Sequence, residues 1–76
     1  MRNISLDKLK PGEIGYIKSV DMKKSQKIRL SEIGFTENTR VETLLRSPCG
    51  DPLAFLVKDT VVALRGVDAE KINVAL

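Results

Sequence analysis

Few residues in this 76-residue chain carry side chains that could support catalysis or transition-metal binding. The chain contains no histidine, which is the most common general base and the most common transition-metal ligand. Its single cysteine, Cys49, cannot supply the several thiolates that a zinc or iron–sulfur site requires. A serine or cysteine nucleophile would need an activating base, and the sequence offers none. We therefore expect that this protein is not an enzyme.

Carboxylates are the remaining groups that could hold a divalent cation, because their oxygens suit hard ions. They are scattered along the chain rather than arranged in a calcium-binding loop, so we expect at most weak, adventitious binding. The sequence also lacks a glycine-rich phosphate loop followed by Lys and Ser or Thr. It therefore predicts no metal site and no cofactor. The carboxylates considered are Asp21, Glu32, Glu37, Glu42 and Asp51.

The net charge of +3 is unevenly distributed along the chain. Residues 1–30 contain eight Lys or Arg and three acids, whereas residues 31–76 contain five Lys or Arg and seven acids. This asymmetry suggests a basic side that faces an acidic partner or the anionic inner leaflet of a membrane. An ordinary solvated surface explains the same asymmetry in a chain this short.

Three features predict a soluble cytoplasmic protein. A lone cysteine cannot form an internal disulfide, and small secreted domains usually contain several. Residues 1–10 alternate charged and apolar side chains and lack the apolar region of a signal peptide. The longest apolar run, residues 53–57, is far shorter than the roughly 20 residues of a spanning helix. The length predicts one domain over residues 1–76, since domains typically contain about 50 to 200 residues.

Alternating apolar and polar residues predict about five strands. Lys58 and Asp59 are expected to form a tight turn that joins the third and fourth strands into a hairpin. The predicted strands are residues 14–20, 39–47, 53–57, 61–65 and 72–76. Two sets of residues are each expected to share one face of a strand: Ile14, Tyr16 and Val20 in the first strand, and Val41, Thr43 and Leu45 in the second.

Residues 26–33 have helical character, with Ser25 as the predicted N-cap and Gly34 at the C-terminal cap. A helix of about two turns is not stable alone and must dock on a sheet. Asp68 is expected to cap one further turn that extends through Lys71. The elements together predict a mainly β protein: a small closed barrel of about five strands, with one short α-helix inserted between the first and second strands.

Protein binding is a better expectation for this chain than nucleic-acid binding. Nucleic-acid binders interleave basic residues with stacking aromatics, and the aromatics here are only Tyr16, Phe35 and Phe55. Phe55 lies in an apolar strand and is expected in the core.

The predicted partner surface is the exposed side of the 26–33 helix and its exit. It joins basic Lys27 and Arg29 to Glu32 and Phe35, and Arg and aromatic residues are enriched among binding hot spots. Two structural alternatives remain open. Phe35, with Leu30 and Ile33, would fill the barrel mouth, and Arg29 and Glu32 would pair with each other across the i, i+3 spacing.

Three short motifs occur in order along the chain. They are residues 29–35 (Arg-Leu-Ser-Glu-Ile-Gly-Phe), Gly50-Asp51-Pro52 and Ala63-Leu64-Arg65. The ordered set resembles the FeoA-type accessory proteins of bacterial ferrous iron uptake, and the likeness extends over nearly the whole chain. The resemblance implies an SH3-like barrel with an inserted helix. One departure is that the family usually has Pro-Gly in the turn after its Gly-Phe pair, whereas this chain has Glu37-Asn38. Asn tolerates a left-handed backbone, so we expect the turn to survive.

The resemblance also implies a partner. FeoA-type proteins act beside FeoB, a membrane iron permease with a cytoplasmic GTP-binding domain. The chain would dock on the cytoplasmic part of FeoB and influence its assembly, nucleotide turnover or transport, without binding iron tightly or hydrolysing GTP. The same small domain resembles the C-terminal module of DtxR-type iron-dependent repressors. A stand-alone SH3-like module with another partner is therefore the alternative, although the clustered aromatics that dock proline-rich segments are lacking.

Overall fold

The computed structural model describes residues 2–76, which form six strands, two short α-helices and one 3-10 helix. The longer helix contains ten residues and the shorter one four. In chain order the elements are β1 (Asn3–Ser5), a 3-10 helix (Leu6–Lys8), β2 (Ile14–Val20), α1 (Lys24–Ile33), β3 (Arg40–Arg46), β4 (Leu53–Val57), β5 (Thr60–Leu64), α2 (Gly66–Ala69) and β6 (Ile72–Ala75).

All six strands belong to one antiparallel sheet in the order β1-β6-β2-β3-β4-β5. The mainly β prediction is confirmed, but the sheet has six strands rather than about five, and no strand pairing within residues 2–76 closes it into a barrel. The missed strand is β1, whose three residues are too few to show alternation and whose partner, β6, lies at the other end of the chain. Within residues 2–76, β1 and β5 are therefore sheet edges. The extra strand also places α1 between the second and third strands rather than the first and second.

The core is formed mainly by side chains from one face of the sheet, closed by the 3-10 segment and one residue of α1. Phe55 is fully buried in the core, as predicted. Leu30 is the only buried side chain of α1. The cluster comprises Leu6, Leu9, Ile17, Leu30, Phe35, Val41, Leu53, Phe55, Val57, Val62, Ala69, Ile72 and Val74.

Two register shifts overturn the predicted strand faces. In β2 a shift between Ile17 and Ser19 puts Ile17 opposite Val74 and Val20 opposite Ile72, so the core side changes parity along the strand. Ile17 is fully buried, whereas Ile14 and Tyr16, predicted to share a face with Val20, are exposed.

A similar shift occurs in β3 between Thr43 and Leu45. Val41 and Thr43 share one face, as predicted, and that face meets the core, but Leu45 lies beyond the shift and is 55% exposed. A bulge of this kind inserts one extra residue, which reverses the facing of every later side chain. Strict alternation in the sequence carries no sign of the insertion.

Helix α1 begins one residue before the predicted N-cap. Its N-cap is Lys23, which makes no side-chain capping hydrogen bond, and Ser25 lies inside the first turn. The predicted end is confirmed, because Gly34 follows the helix with φ of 126°. A Cβ at Gly34 would lie 2.8 Å from Cγ1 of Val57, so this glycine also allows the helix exit to approach β4.

The turn chemistry of the sequence is largely confirmed. Lys58 and Asp59 both have positive φ, which is the conformation of the tight two-residue hairpin between β4 and β5. Asn38 has φ of 69°, so it takes the left-handed position expected of it. The predicted cap at Asp68 is wrong, because Asp68 lies inside α2 and Arg65 is the N-cap.

The loop before β4 supplies a hydrogen bond to the start of α2. The backbone N–H of Gly66 donates to Oδ1 of Asp51 at 2.7 Å. A Cβ at Gly66 would lie 3.1 Å from the same oxygen, so the close approach favours glycine. Asp51 and Gly66 thereby join two segments that are 15 residues apart in the sequence.

Neither helix within residues 2–76 has the length and apolar character needed to cross a bilayer.

Candidate functional site

Helix α1 packs on the sheet, and a groove lies on each side of the helix. The larger groove, of about 770 Å³, lies between α1 and the second half of β2. Its apolar lining comes from Ile17, Val20, Met22, Ile28 and Phe35, and its polar lining comes from Lys18, Ser19, Lys24, Lys27, Ser31, Thr36 and Glu37. We call it the α1–β2 groove.

Positive charge dominates the rim of the α1–β2 groove. Lys18, Lys24 and Lys27 line it together with one acid, Glu37. All three lysines are exposed. An apolar floor with a positive rim can bury apolar side chains while it attracts negative charge. The arrangement suits an acidic segment that also carries apolar residues.

Ile28 extends the apolar part of this groove to the protein surface. It belongs to α1, lines the groove and is 49% exposed. It lies about 160° around the helix from Leu30, so it cannot share the docked face. An apolar residue in that position contributes little to the fold and is available to a partner.

The smaller groove, of about 220 Å³, lies on the other side of α1, next to β5 and α2. Arg29 and Asp68 carry opposite charges on its lining. The remaining lining residues are Met22, Gln26, Leu30, Ile33, Val62, Ala63 and Leu64. Its charge is balanced, in contrast to the α1–β2 groove.

The four residues predicted to bind a partner do not form one surface. Lys27 lines the larger groove and Arg29 the smaller one, because residues two positions apart lie about 160° from each other around the helix axis. Glu32 is exposed and lines neither groove. Phe35 is only 2% exposed and belongs to the core cluster, so it does not supply the exposed aromatic contact that the sequence suggested.

The alternative that Arg29 pairs with Glu32 is not seen. Within residues 2–76 the one ion pair joins Nη2 of Arg40 to Oε1 of Glu42 at 3.5 Å. The charges around α1 therefore face solvent and remain available to a partner.

Sequence reasoning missed Lys18, Lys24 and Met22 as groove residues. Lys18 lies on β2 and Lys24 on the first turn of α1, and only the docking of the helix brings them together. The sequence did contain an indication that Ile28 would lie away from the docked face, because Ile28 falls outside the i, i+3 pair formed by Leu30 and Ile33. No comparable signal exists for a lysine on a strand.

The motif residues that carry the sequence resemblance have structural roles here. Leu30 and Phe35 are buried, Gly34 allows the helix exit to approach Val57, and Asp51 accepts the hydrogen bond from α2. Ile33, expected to fill the barrel mouth, is instead 37% exposed. These motifs identify the fold rather than a reactive centre.

No cluster of three or more Cys, Asp or Glu side chains suitable for a metal ion occurs in residues 2–76. Cys49 is exposed and has no disulfide partner. The described residues thus present grooves and charged surfaces as their candidate functional features.

The family of this chain follows from a comparison with known protein families. The FeoA domain model matches residues 4–76. This chain belongs to the FeoA family. A comparison of the sequence with curated proteins finds no match.

Solved structures of FeoA proteins have the same fold. The FeoA protein from Chlorobium tepidum is 26% identical, with a TM-score of 0.91 over 96% of this chain and 70% of that chain. FeoA from Stenotrophomonas maltophilia, solved in complex with zinc and described as an SH3 domain protein, is 28% identical. Its TM-score is 0.81 over 93% of this chain and 88% of that chain. The FeoA family associates this chain with ferrous iron transport.

A manganese-dependent transcriptional repressor contains a similar fold. Its TM-score is 0.81 at 20% identity, over 96% of this chain and 41% of the repressor. At that identity the similarity shows the fold alone. The chain thus corresponds in fold to one part of a larger regulator.

Proposed function

We propose that this chain is a small cytoplasmic accessory protein of bacterial ferrous iron uptake that docks on the cytoplasmic part of a FeoB-type permease. Docking would modulate the assembly, GTPase activity or transport activity of the permease. The proposal rests on membership of the FeoA family and on a chain whose described residues offer surfaces rather than a reactive centre.

The observation that supports a docking role is the α1–β2 groove. Its rim carries Lys18, Lys24 and Lys27 around an apolar floor. The groove favours an acidic, partly apolar segment of the permease, because charge on the rim steers the encounter and burial on the floor holds the complex. This revises the predicted surface: Lys27 lines the groove rim and the buried Phe35 contributes only to its floor, whereas Arg29 and Glu32 lie outside the groove.

The affinity of the cytoplasmic domain of the cognate FeoB for this chain tests the proposal. Lys27→Glu reverses a charge on the groove rim, and we expect it to weaken binding about tenfold or more. Lys10→Glu is the matched control, because Lys10 is exposed, precedes β2 at its opposite end and does not line the groove. Titrations by calorimetry, with and without guanine nucleotide, would compare the three proteins.

Equal affinity of the Lys27→Glu and wild-type proteins, with both folded, would rule out the groove as the docking site. Absence of binding by the wild-type protein at millimolar concentration would mean that contact requires the membrane part of FeoB or that the partner is another protein.

The alternative function is a stand-alone protein-binding module with a different partner, related to the C-terminal domain of DtxR-type regulators. The shared fold with a manganese-dependent repressor supports it. Binding in the same titration would favour the FeoB adaptor over this alternative, since a module with another partner would not respond to FeoB.

A further inference from the structure

Strand β5 is an edge of the sheet without a second strand partner, and it lies beside the smaller groove next to α1. It is last in the strand order and, within residues 2–76, pairs only with β4. Its sequence, Thr-Val-Val-Ala-Leu, contains no charge and no proline, and its five pairs with β4 run without a register shift. Natural edge strands are usually blunted by charges, proline, bulges or short length. The other edge, β1, is short, with three residues.

The hairpin geometry defines which backbone groups of β5 face the open edge. In a two-residue hairpin the residues that flank the turn form a hydrogen-bonded pair, and such pairs then alternate along the ladder. Thr60, paired with Val57, therefore directs its backbone N–H and C=O toward β4, as do Val62 and Leu64. The N–H and C=O of Val61 and Ala63 point away from β4 toward the edge.

Opposite charges flank the strand on its two ends. Asp59 precedes β5 in the turn, and Arg65 follows it as the N-cap of α2. Both residues are exposed, and neither takes part in an ion pair with the described residues. An uncharged edge with an acid at one end and a base at the other is complementary to itself in an antiparallel arrangement.

We propose that β5 pairs antiparallel with β5 of a second copy of this chain, with Val62 on the two-fold axis. Val61 would then lie opposite the partner's Ala63, and the edge-facing groups of these residues would exchange four backbone hydrogen bonds per dimer. Asp59 would lie opposite the partner's Arg65, once on each side of the axis. Opposite charges placed directly across a strand pair stabilise the pairing.

Other self-pairings fit less well. If Val62 lay opposite the partner's Val61, the edge-facing N–H and C=O groups of one strand would meet groups of the other strand that are already hydrogen-bonded to β4. A two-fold axis at Val61 or at Ala63 keeps the correct parity but pairs only three residues of each strand, and it separates Asp59 from the partner's Arg65. The register centred on Val62 pairs all five residues and both charges.

The apolar outer face of the sheet supports the same arrangement. Val61 is 64% exposed and lies in register with Leu56 on β4, while Ala63 lies in register with Ala54 and, through it, with Leu45. Pairing through β5 would bring each Val61 beside the partner's Ala63. The apolar side chains on the outer faces of the two sheets would then form one continuous surface. The interface is small, so we expect a weak dimer that forms at protein concentrations between about 10 µM and about 1 mM.

Hydrogen exchange as a function of protein concentration tests the arrangement residue by residue. We expect the amides of Val61 and Ala63 to exchange more slowly as the dimer forms. The amide of Val62 bonds to β4 in both states and should exchange independently of concentration. Sedimentation equilibrium over the same range measures the dissociation constant. A protein that stays monomeric at about 1 mM would overturn the proposal.

Ala63→Pro removes the edge-facing N–H while leaving the groups that pair with β4. Proline is tolerated on edge strands where its N–H faces solvent. We expect dimerisation to weaken at least thirtyfold, roughly, because two hydrogen bonds per dimer are lost and the ring obstructs the pairing. Ala63→Thr keeps the N–H and is the control. A folded Ala63→Pro protein that dimerises like the wild type would contradict the proposal.

Arg65→Glu provides an independent test that does not change the strand. It places two acids opposite each other at both ends of the pairing, and we expect about tenfold weaker dimerisation. Arg65→Lys should retain the dimer. Equal dimerisation of the Glu and Lys variants would overturn the proposed register. Protection of the Val61 and Ala63 amides only upon addition of a different protein would show that the edge receives a foreign strand instead.

Discussion

The β3–β4 part of the sheet and helix α1 differ sharply in how they are held. Strands β3 and β4 contribute Val41, Leu53, Phe55 and Val57 to the core, each 2% exposed or less. The ten residues of α1 contribute one buried side chain, Leu30. The difference indicates that the sheet contributes most of the stability of this domain. Helix α1 contributes little to the core, so most of its surface is free to contact a partner.

Truncation of a fully buried side chain of β4 should produce the largest effect on stability. Phe55→Ala removes a fully buried aromatic side chain, and such changes cost about 3–5 kcal/mol. A domain of this length has a free energy of unfolding of about 4–11 kcal/mol, so we expect the change to remove a large fraction of the stability. Urea denaturation followed by circular dichroism measures the loss.

A stable Phe55→Ala protein, within about 1 kcal/mol of the wild type, would show that packing around Phe55 contributes little to stability. Tyr16→Ala is the comparison, because Tyr16 is 47% exposed on β2 and should cost far less.

The helix exit joins the two regions, so a change at Gly34 should have the next largest effect. Gly34→Ala places a Cβ 2.8 Å from Cγ1 of Val57 at a φ of 126°, and we expect a loss of about 2–3 kcal/mol. Gly12→Ala is the matched control, since Gly12 has φ of 88° and nothing within 4 Å of the added Cβ. Denaturant midpoints of the two variants separate the contact from the backbone strain. Equal losses would mean that the contact with Val57 contributes nothing.

The hydrogen bond between the loop before β4 and α2 should have an intermediate effect. Asp51→Ala leaves the N–H of Gly66 without its acceptor, and we expect a loss of about 1 kcal/mol. Asp51→Asn keeps an acceptor oxygen and should retain most of the stability. Thermal unfolding compares both variants with the wild type, and equal losses for Ala and Asn would assign the effect to charge rather than to the hydrogen bond.

The groove side of α1 should have the smallest effect on stability. Ile28→Ala truncates a side chain that is 49% exposed, and we expect a loss below about 1 kcal/mol. The same change removes apolar surface from the α1–β2 groove and should weaken binding to the proposed partner. Denaturation and titration on one protein sample test both statements. A large loss of stability would mean that this side of α1 is part of the core.

The turns and the helix end could be predicted because single residues determine them. Gly34, Asn38 and the Lys58-Asp59 pair all have the positive φ that their types or positions suggested. The sheet faces could not be predicted beyond the register shifts, because a bulge reverses the facing of later side chains without changing the alternation in the sequence. Leu45 illustrates this, since it continues the pattern of Val41 and Thr43 but is exposed.

The candidate site was only partly predictable for a related reason. The sequence indicated a basic helix, and Lys27 does line the α1–β2 groove. Lys18 lies on a different element, and the separation of Lys27 from Arg29 depends on which side of α1 meets the sheet. Leu30 is the residue through which α1 docks on the sheet, so it determines which side of the helix meets the sheet. A helix with few apolar residues gives little indication of its docked face.

The amide shifts of the isotope-labelled protein, titrated with the cytoplasmic domain of its cognate FeoB, test the division between scaffold and docking surface most directly. We expect shifts confined to the residues of the α1–β2 groove, around 18–28 and 35–37, with little change on the outer face of β3 and β4. Shifts centred on that outer face, with α1 unaffected, would contradict the assignment of the groove as the docking surface.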